Sequence, residues 1–225
     1  MRVLIPFTDR DPKSRLAAVL DADERRRFAF AMLRDVVDAV AAAGGEPELL
    51  VPEPLDPPAD DLAGDFDADP LEGVPTTVDE RPLTPAVNAA LSRLDDGDVA
   101  ELGIVMADLA LAAPTSLSRL FGAGGDVAVA PGRGGGTNAL VVRDPEFRVD
   151  YHGTSYRDHR RVAAEAGLSV DVVDSMRLSA DVDEPADLVE VLLHGEGRSQ
   201  TWLREAGFAV DAGNESRVGV RRAGE

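Results

Sequence analysis

The 225-residue chain has no cysteine. That excludes disulfides, thiolate metal sites and a cysteine nucleophile. It is nearly without lysine as well: Lys13 stands alone beside 22 arginines. Cations are scarce beside acids, 23 Lys and Arg against 42 Asp and Glu, for a formal net charge of −19. The acids are spread along the chain rather than gathered in one block. Such a surface repels nucleic acid, whose binding rests on neutralised phosphates, so no nucleic-acid partner is expected. Even acidity with almost no lysine fits halophilic adaptation, because salt screens self-repulsion; a GC-rich genome favouring Arg codons gives the same choice of cation. No apolar run approaches the roughly 18 residues of a membrane span. The segment from Met1 to Pro6 lacks the apolar length and small-residue cleavage site of a signal peptide. A cytoplasmic protein with no membrane partner is expected. Hydrophobic residues make up 44%, enough for a packed core. The length favours one large domain, placed at 1–210, with a C-terminal tail at 211–225.

Strand and helix patterns alternate. Val3-Leu4-Ile5 reads as a buried strand closed by Pro6, and a polar loop runs from Thr8 to Ser14. Phe28, Met32, Val36 and Val40 repeat at four-residue spacing in a helix from about Asp23 to Ala43, ended by Gly44-Gly45. Glu48 to Val51 reads as a strand. Pro52 to Gly73, rich in Pro and Asp, reads as a long and mobile surface loop. A strand at Val74 to Val78 and a helix at Pro85 to Leu94 follow. Leu102 to Met106 is the strongest central-strand signal, with Asp108 just past its end. Later come a helix (Pro114 to Phe121), strands (Val127 to Ala130, Ala139 to Val142) and a glycine-rich turn between them. Ser155 to Ala166, Pro185 to His194 and Arg198 to Ala206 read as helices, and Val170 to Val173 as a strand. This alternation implies an α/β fold with a mostly parallel sheet covered on both faces. Ligands bind such sheets at the carboxyl ends of the strands.

Five segments there could carry chemistry. Lys13 and Arg15 lie in the loop after the first strand, where two cations suit a phosphate; that loop lacks the glycines of a Walker A motif. Chance survival of a surface lysine is the competing explanation. Asp108 is either a metal or substrate ligand or a cap. Asp181 and Asp183 face the same way if their segment is extended, which suits Mg²⁺ with a third carboxylate; capping of the helix near Pro185 by Asp183 or Glu184 is slightly favoured for the pair alone. Gly132 to Gly136 followed by Thr137 is a ligand-approach loop or a plain connecting turn. Ser155 at a helix start either meets an anion or caps the helix. His152, His159 and His194 lack a convincing zinc spacing.

Four segments in order, Pro12-Lys13-Ser14-Arg15-Leu16, Asp108-Leu109, Gly136-Thr137-Asn138-Ala139-Leu140 and Asp181-Val182-Asp183-Glu184-Pro185-Ala186-Asp187-Leu188, resemble the CofC family, the 2-phospho-L-lactate guanylyltransferases of coenzyme F420 biosynthesis. The resemblance runs from Val3 to about Leu193. It implies a three-layer α/β/α, Rossmann-like fold of the nucleotide-diphospho-sugar-transferase type. It implies a nucleotidyltransferase joining 2-phospho-L-lactate to GTP with release of pyrophosphate, phosphoenolpyruvate being the acid of bacterial relatives. By position it assigns the metal to Asp108, Asp181 and Asp183, with Mg²⁺ as cofactor. It places the nucleotide at Pro6, Lys13, Ser14 and Arg15, with Lys13, Arg15 and Asp108 as catalytic residues. It places the phosphoacid at Thr137, Gly153 and Ser155, and implies a homodimer. The sequence departs from the usual pattern at His152, at Leu83-Thr84 and at Asp108-Leu109-Ala110. The acidic composition resembles a haloarchaeal member. Transfer to a molybdopterin or sugar phosphate, and a non-catalytic nucleotide-binding domain, are the rival readings; the glycine-free loop from Pro6 to Arg15 argues against the molybdopterin type.

Overall fold

The computed structural model describes residues 1–59, 62, 66, 68–95, 97–213 and 218–223. The chain runs β1 (Arg2–Pro6), α1 (Ala22–Ala42), β2 (Glu46–Val51), β3 (Thr76–Val78), α2 (Leu83–Asp95), β4 (Leu102–Val105) and α3 (Pro114–Phe121). It continues through β5 (Val127–Pro131), β6 (Thr137–Val142), α4 (Ser155–Glu165), β7 (Val170–Val172), α5 (Met176–Ser179), α6 (Leu188–His194), α7 (Arg198–Glu205), β8 (Phe208–Asp211) and β9 (Gly219–Arg222).

Seven strands form one sheet in the order β3-β2-β1-β4-β6-β5-β7. β1 pairs in parallel with β2 and β4, β2 with β3, and β5 with β7; β6 runs antiparallel to both β4 and β5. The antiparallel strand follows from chain length, since the Gly132–Gly136 link is far too short for a parallel crossover. Val3 and Ile5 point into one core with Phe30 and Leu33 of α1 and Leu117 and Leu120 of α3. Leu4 points the other way, against Val87 and Leu91 of α2 and Ala163 of α4. Both faces are therefore covered, and the three-layer α/β/α architecture is the one expected.

α1 begins in a capping box: Asp21 accepts from Glu24 N (2.9 Å) and Glu24 accepts from Asp21 N (3.0 Å). It is buried on two sides. Phe30 and Leu33 meet the sheet, while Phe28 and Met32 meet Leu188, Val191 and Leu203 of α6 and α7. Asp35 ties α1 to the start of α7 by accepting from Arg198 N (2.6 Å), Ser199 N (2.9 Å) and Ser199 Oγ (2.6 Å).

Several details differ from the sequence expectation. α2 starts at Leu83, placing Pro85 in its first turn. The helix expected from Pro185 to His194 is split into a 3₁₀ turn, Pro185–Asp187, and α6. The segment from Asp211 is not a patternless tail, because β9 pairs with β8 across the boundary drawn at 210. Residues 214–217 and 224–225 of it lie outside the described residues. Of the 52–73 loop, residues 60, 61, 63–65 and 67 do too; its Asp69 accepts from buried Arg34 at 2.8 and 3.0 Å.

Candidate active site

Parallel pairing brings the ends of β1 and β4 to one edge of the sheet. Because β6 is antiparallel, its first residue, Thr137, reaches the same edge. The segment after α5 crosses there, held by Val182 N donating to Asp108 O (3.2 Å) and Arg133 N to Ser179 O (3.0 Å). Residues far apart in sequence thus meet for topological reasons.

Lys13 is the centre of the arrangement. Its backbone is left-handed (φ 52°), as is that of Asp11 (φ 45°), a conformation that costs a non-glycine residue about 1–2 kcal/mol. The loop is held there by Arg25, whose guanidinium donates to Pro12 O (3.2 Å) and Asp11 Oδ1 (2.6 Å). Lys13 Nζ donates to Asp108 Oδ2 at 2.6 Å and to Asp183 Oδ1 at 3.0 Å. Its side chain is 13% exposed. Burial works against its charge, but Asp108 and then Asp183 outweigh that cost and hold its pKa above the usual lysine value. Arg15 lies further out, 3.5 Å from Asp183 Oδ2 and largely exposed. Ser14 opens the 3₁₀ turn Ser14–Ala18.

Among the described residues Asp183 caps no helix end; Glu184, the other candidate, forms a capping box with Asp187 at the start of the 3₁₀ turn. Asp187 instead accepts from Asp183 N (3.0 Å) and Glu184 N (2.8 Å), which frees the Asp183 carboxylate for Lys13. Asp181 is oriented by Asn138, whose Nδ2 donates to Asp181 Oδ1 (3.1 Å) and Leu178 O (2.9 Å). Asn138 needs Gly132: a Cβ there would lie 2.5 Å from its Oδ1. Burial raises the Asp181 pKa against the Asn138 hydrogen bond, with the charges of Asp108 and Asp183 adding to the rise.

Lys13 and Asp108 line a cleft of 200 Å³ that adjoins two others at Met106. The larger of those two, 470 Å³, is bordered by Pro6, Phe7, Leu50, Asp79, Arg81 and Leu83. The smaller, 240 Å³, is bordered by Asp108, Thr137, Gly153, Ser155, Asp181 and Asp183. Met106 and Leu83 border both, so the clefts adjoin. Ser155 is 5% exposed and is the first residue of α4, with Thr154 in the cap position. It is therefore not the cap. Gly153 has φ +46°, which glycine adopts without strain. Thr84 Oγ1 accepts from Tyr151 N (2.9 Å), so the Leu83-Thr84 departure ties α2 to the rim of the smaller cleft. His152 is exposed and meets Asp150 Oδ1 at 2.7 Å.

Sequence reasoning missed Asn138 and His159 as site residues. His159 is 2% exposed. Its Nε2 accepts from Asp150 N (2.9 Å), and its Nδ1 lies 2.9 Å from Thr137 Oγ1. Burial lowers its pKa to about 4, against the opposing charges of Asp150 and Asp158. The available signal was its spacing four residues after Ser155, which puts both on one helix face.

Among the described residues, no three His, Asp or Glu side chains form a group that could hold a metal as they stand; the ammonium of Lys13 bridges two of the three acids. The donor chemistry nevertheless fits a hard divalent cation. The donors are all carboxylate oxygens, and Asp181 feels the charge of the other two.

The layered sheet is a fold shared with solved structures of other proteins. A nucleotidyl transferase from Methanothermobacter thermautotrophicus superposes with TM-score 0.57 at 15% identity, covering 91% of this chain and 98% of that one. A candidate nucleotide-diphospho-sugar transferase from Desulfovibrio desulfuricans G20 gives TM-score 0.65 at 17% identity, covering 91% and 94%. The family model for guanylyl transferase CofC-like proteins matches residues 1–223, and the chain belongs to that family. It is 55% identical over 224 residues to the 2-phospho-L-lactate guanylyltransferase of Natronomonas pharaonis, covering 100% of both. It is 56% identical over 221 residues to that of Haloferax volcanii, covering 98% of both. No described helix is long and apolar enough to cross a membrane.

Proposed function

We propose that the protein is a 2-phospho-L-lactate guanylyltransferase of coenzyme F420 biosynthesis, joining 2-phospho-L-lactate to GTP and releasing pyrophosphate. The name borne by its relatives supports this reading. The observation that carries it is the Lys13–Asp108–Asp183 group: Lys13 and Asp108 border a 200 Å³ cleft that shares Phe7 and Met106 with the large, mostly apolar cleft, while Asp108 and Asp183 border the small one. GTP takes the large cleft, with its base and ribose along Phe7, Leu50 and Leu83 and its phosphates toward Lys13 and Arg15. The acid takes the small cleft, against Thr137, Gly153 and Ser155.

A phosphate oxygen of the acid attacks the α-phosphorus of GTP. A new P–O bond forms there, the bond from the α-phosphorus to the bridging oxygen breaks, and pyrophosphate leaves with that electron pair. A phosphomonoester is largely dianionic at neutral pH, its second pKa being about 6, so no general base is needed. The protein has to align two anions and offset the charge on the leaving group. Lys13 suits the second task because Asp108 and Asp183 keep it protonated. Asp108, Asp181 and Asp183 would hold Mg²⁺, which supplies further charge neutralisation at the phosphates when bound. Under this reading the protein works in the cytoplasm as a halophilic enzyme and, as its family resemblance implies, as a homodimer.

Pyrophosphate release in concentrated KCl with Mg²⁺ and GTP tests the proposal. Release with 2-phospho-L-lactate is expected. Release with phosphoenolpyruvate alone would reassign the acid, and release with neither acid from folded protein would contradict the reading.

A further inference from the structure

The smaller cleft contains a hydrogen-bond relay whose direction the structure fixes. The backbone N–H of Asp150 can only donate, and it points at His159 Nε2 at 2.9 Å. That nitrogen must accept and so carries no hydrogen. The ring hydrogen is then on Nδ1, which faces Thr137 Oγ1 at 2.9 Å. Nδ1 donates, and the Thr137 oxygen spends a lone pair on it. The hydroxyl hydrogen of Thr137 is left over. Among the described residues no other protein group pairs with this hydroxyl. Thr137 is 3% exposed overall yet borders the cleft beside Ser155 and Gly153. The remaining hydrogen is left available to an occupant of the cleft.

The ring itself cannot easily turn. Phe147 and Tyr151 pack edge-on against it, with centroids 5.9 and 5.0 Å away. A half-turn about χ2 would also exchange a nitrogen for a carbon at both partners. His159 sits on the inner face of α4 and borders neither cleft, so it acts through Thr137.

We propose that His159 is a positioning residue: its neutral Nδ1–H form sets the Thr137 hydroxyl as an obligate donor to an anionic oxygen of the acceptor acid. This rests on the reading that the smaller cleft takes the phosphoacid. A threonine free to rotate would offer its lone pairs to the anion part of the time; one already donated to by His159 offers its hydrogen. The arrangement selects a ligand with an acceptor at that point, a phosphate or carboxylate oxygen, over one with a hydroxyl donor there.

A double-mutant cycle tests this, using His159→Phe, Thr137→Val and the pair combined. Binding of 2-phospho-L-lactate and of phosphoenolpyruvate is measured by calorimetry, and KM for each acid and for GTP by pyrophosphate release. Phe keeps the ring volume and removes both hydrogen bonds. His159→Phe is expected to weaken acid binding about tenfold, the size of one lost hydrogen bond to a charged group, with GTP KM within twofold of wild type. The Thr137→Val variant behaves alike, and the combined variant is no weaker than Thr137→Val alone. His159→Asn, whose amide can still donate near the Nδ1 position, retains most of the affinity and guards against a folding failure in the Phe variant. An effect of His159→Phe that persists undiminished in the Thr137→Val background would overturn the proposal, as would equal losses for GTP and acid. Coupled acid binding without pyrophosphate release would support the relay and contradict the transferase reading. Wild-type protein that binds neither acid would overturn the relay.

Discussion

The two clefts differ in how they are built, and the difference follows from where each lies in the sheet. The larger cleft sits over parallel strands β1 and β2 and the start of α2, with apolar walls such as Phe7, Leu50, Val51 and Leu83 beside a charged rim of Arg10, Asp79, Glu80 and Arg81. Its side-chain hydrogen bonds lie at that charged rim, where Arg81 donates to Asp79 and Arg10 to Glu53. The smaller cleft lies where an antiparallel strand enters the same edge, and its walls are set by polar contacts: His159 on Thr137, Asn138 on Asp181, Thr84 on Tyr151 N. Apolar walls suit a flat base, which gains from area covered. A small, highly charged acid offers little area, so its binding depends on fixed donors. Lys13 and Asp108 line a third cleft, of 200 Å³, which meets the other two at Met106.

The sharpest way to break this picture is in that third cleft. Asp108→Asn is expected to lower turnover by about a thousandfold, at the upper end for loss of one electrostatic contact in a site, with unchanged circular dichroism; wild-type-like turnover would remove Asp108 from the chemistry. The next effect concerns stability in the smaller cleft. Folded His159 has a pKa of about 4, against 6.5 when free. Between those values the unfolded chain binds more protons, so stability is present above about pH 6.5 and is lost as pH falls through that window. The loss approaches about 3 kcal/mol at 1.36 kcal/mol per pKa unit. Thermal melts of wild type and His159→Phe from pH 7 to 4 check it: the wild type loses more on acidification, and equal losses would refute the assignment.

Two smaller effects separate the clefts. Ser155→Ala removes one hydroxyl from the smaller cleft and is expected to raise KM for the acid about fivefold while sparing GTP, at the scale of one hydrogen bond. Thr8→Trp adds bulk at the exposed rim of the larger cleft and should raise KM for GTP a few-fold while sparing the acid. Steady-state kinetics with each substrate varied in turn reads both. A crossed pattern, with Ser155→Ala acting on GTP or Thr8→Trp on the acid, would dissolve the distinction.

Much of the fold is legible in the amino-acid sequence. Periodicity locates α1, α3 and the central strands, because buried faces repeat at fixed spacing. The lone lysine and the Asp181–Asp183 pair stand out as residue types out of keeping with their surroundings. What cannot be read is the partnership between Lys13 and acids 95 and 170 positions away, since the pairing of the strands decides which loops share an edge. The 3₁₀ turn at Pro185 is hidden because Asp187, not Asp183, satisfies the backbone there, and both choices look alike in sequence. The β8–β9 pair is hard to read because each strand is only four residues long, with Phe208, Val210 and Val220 its apolar contacts to the α6–α7 cluster. Asn138 and His159 escape notice because their partners, Asp181 and Thr137, lie 43 and 22 positions away.

The central claim is that nucleotide and acid occupy different clefts that adjoin at Leu83 and Met106. A crystal structure with a GTP analogue blocked between the α- and β-phosphates, Mg²⁺ and 2-phospho-L-lactate tests it most directly. We expect the guanosine between Phe7 and Leu83, its phosphates toward Lys13, and the acid against Thr137 and Ser155. The acid in the larger cleft, or guanine against Ser155, would contradict the account.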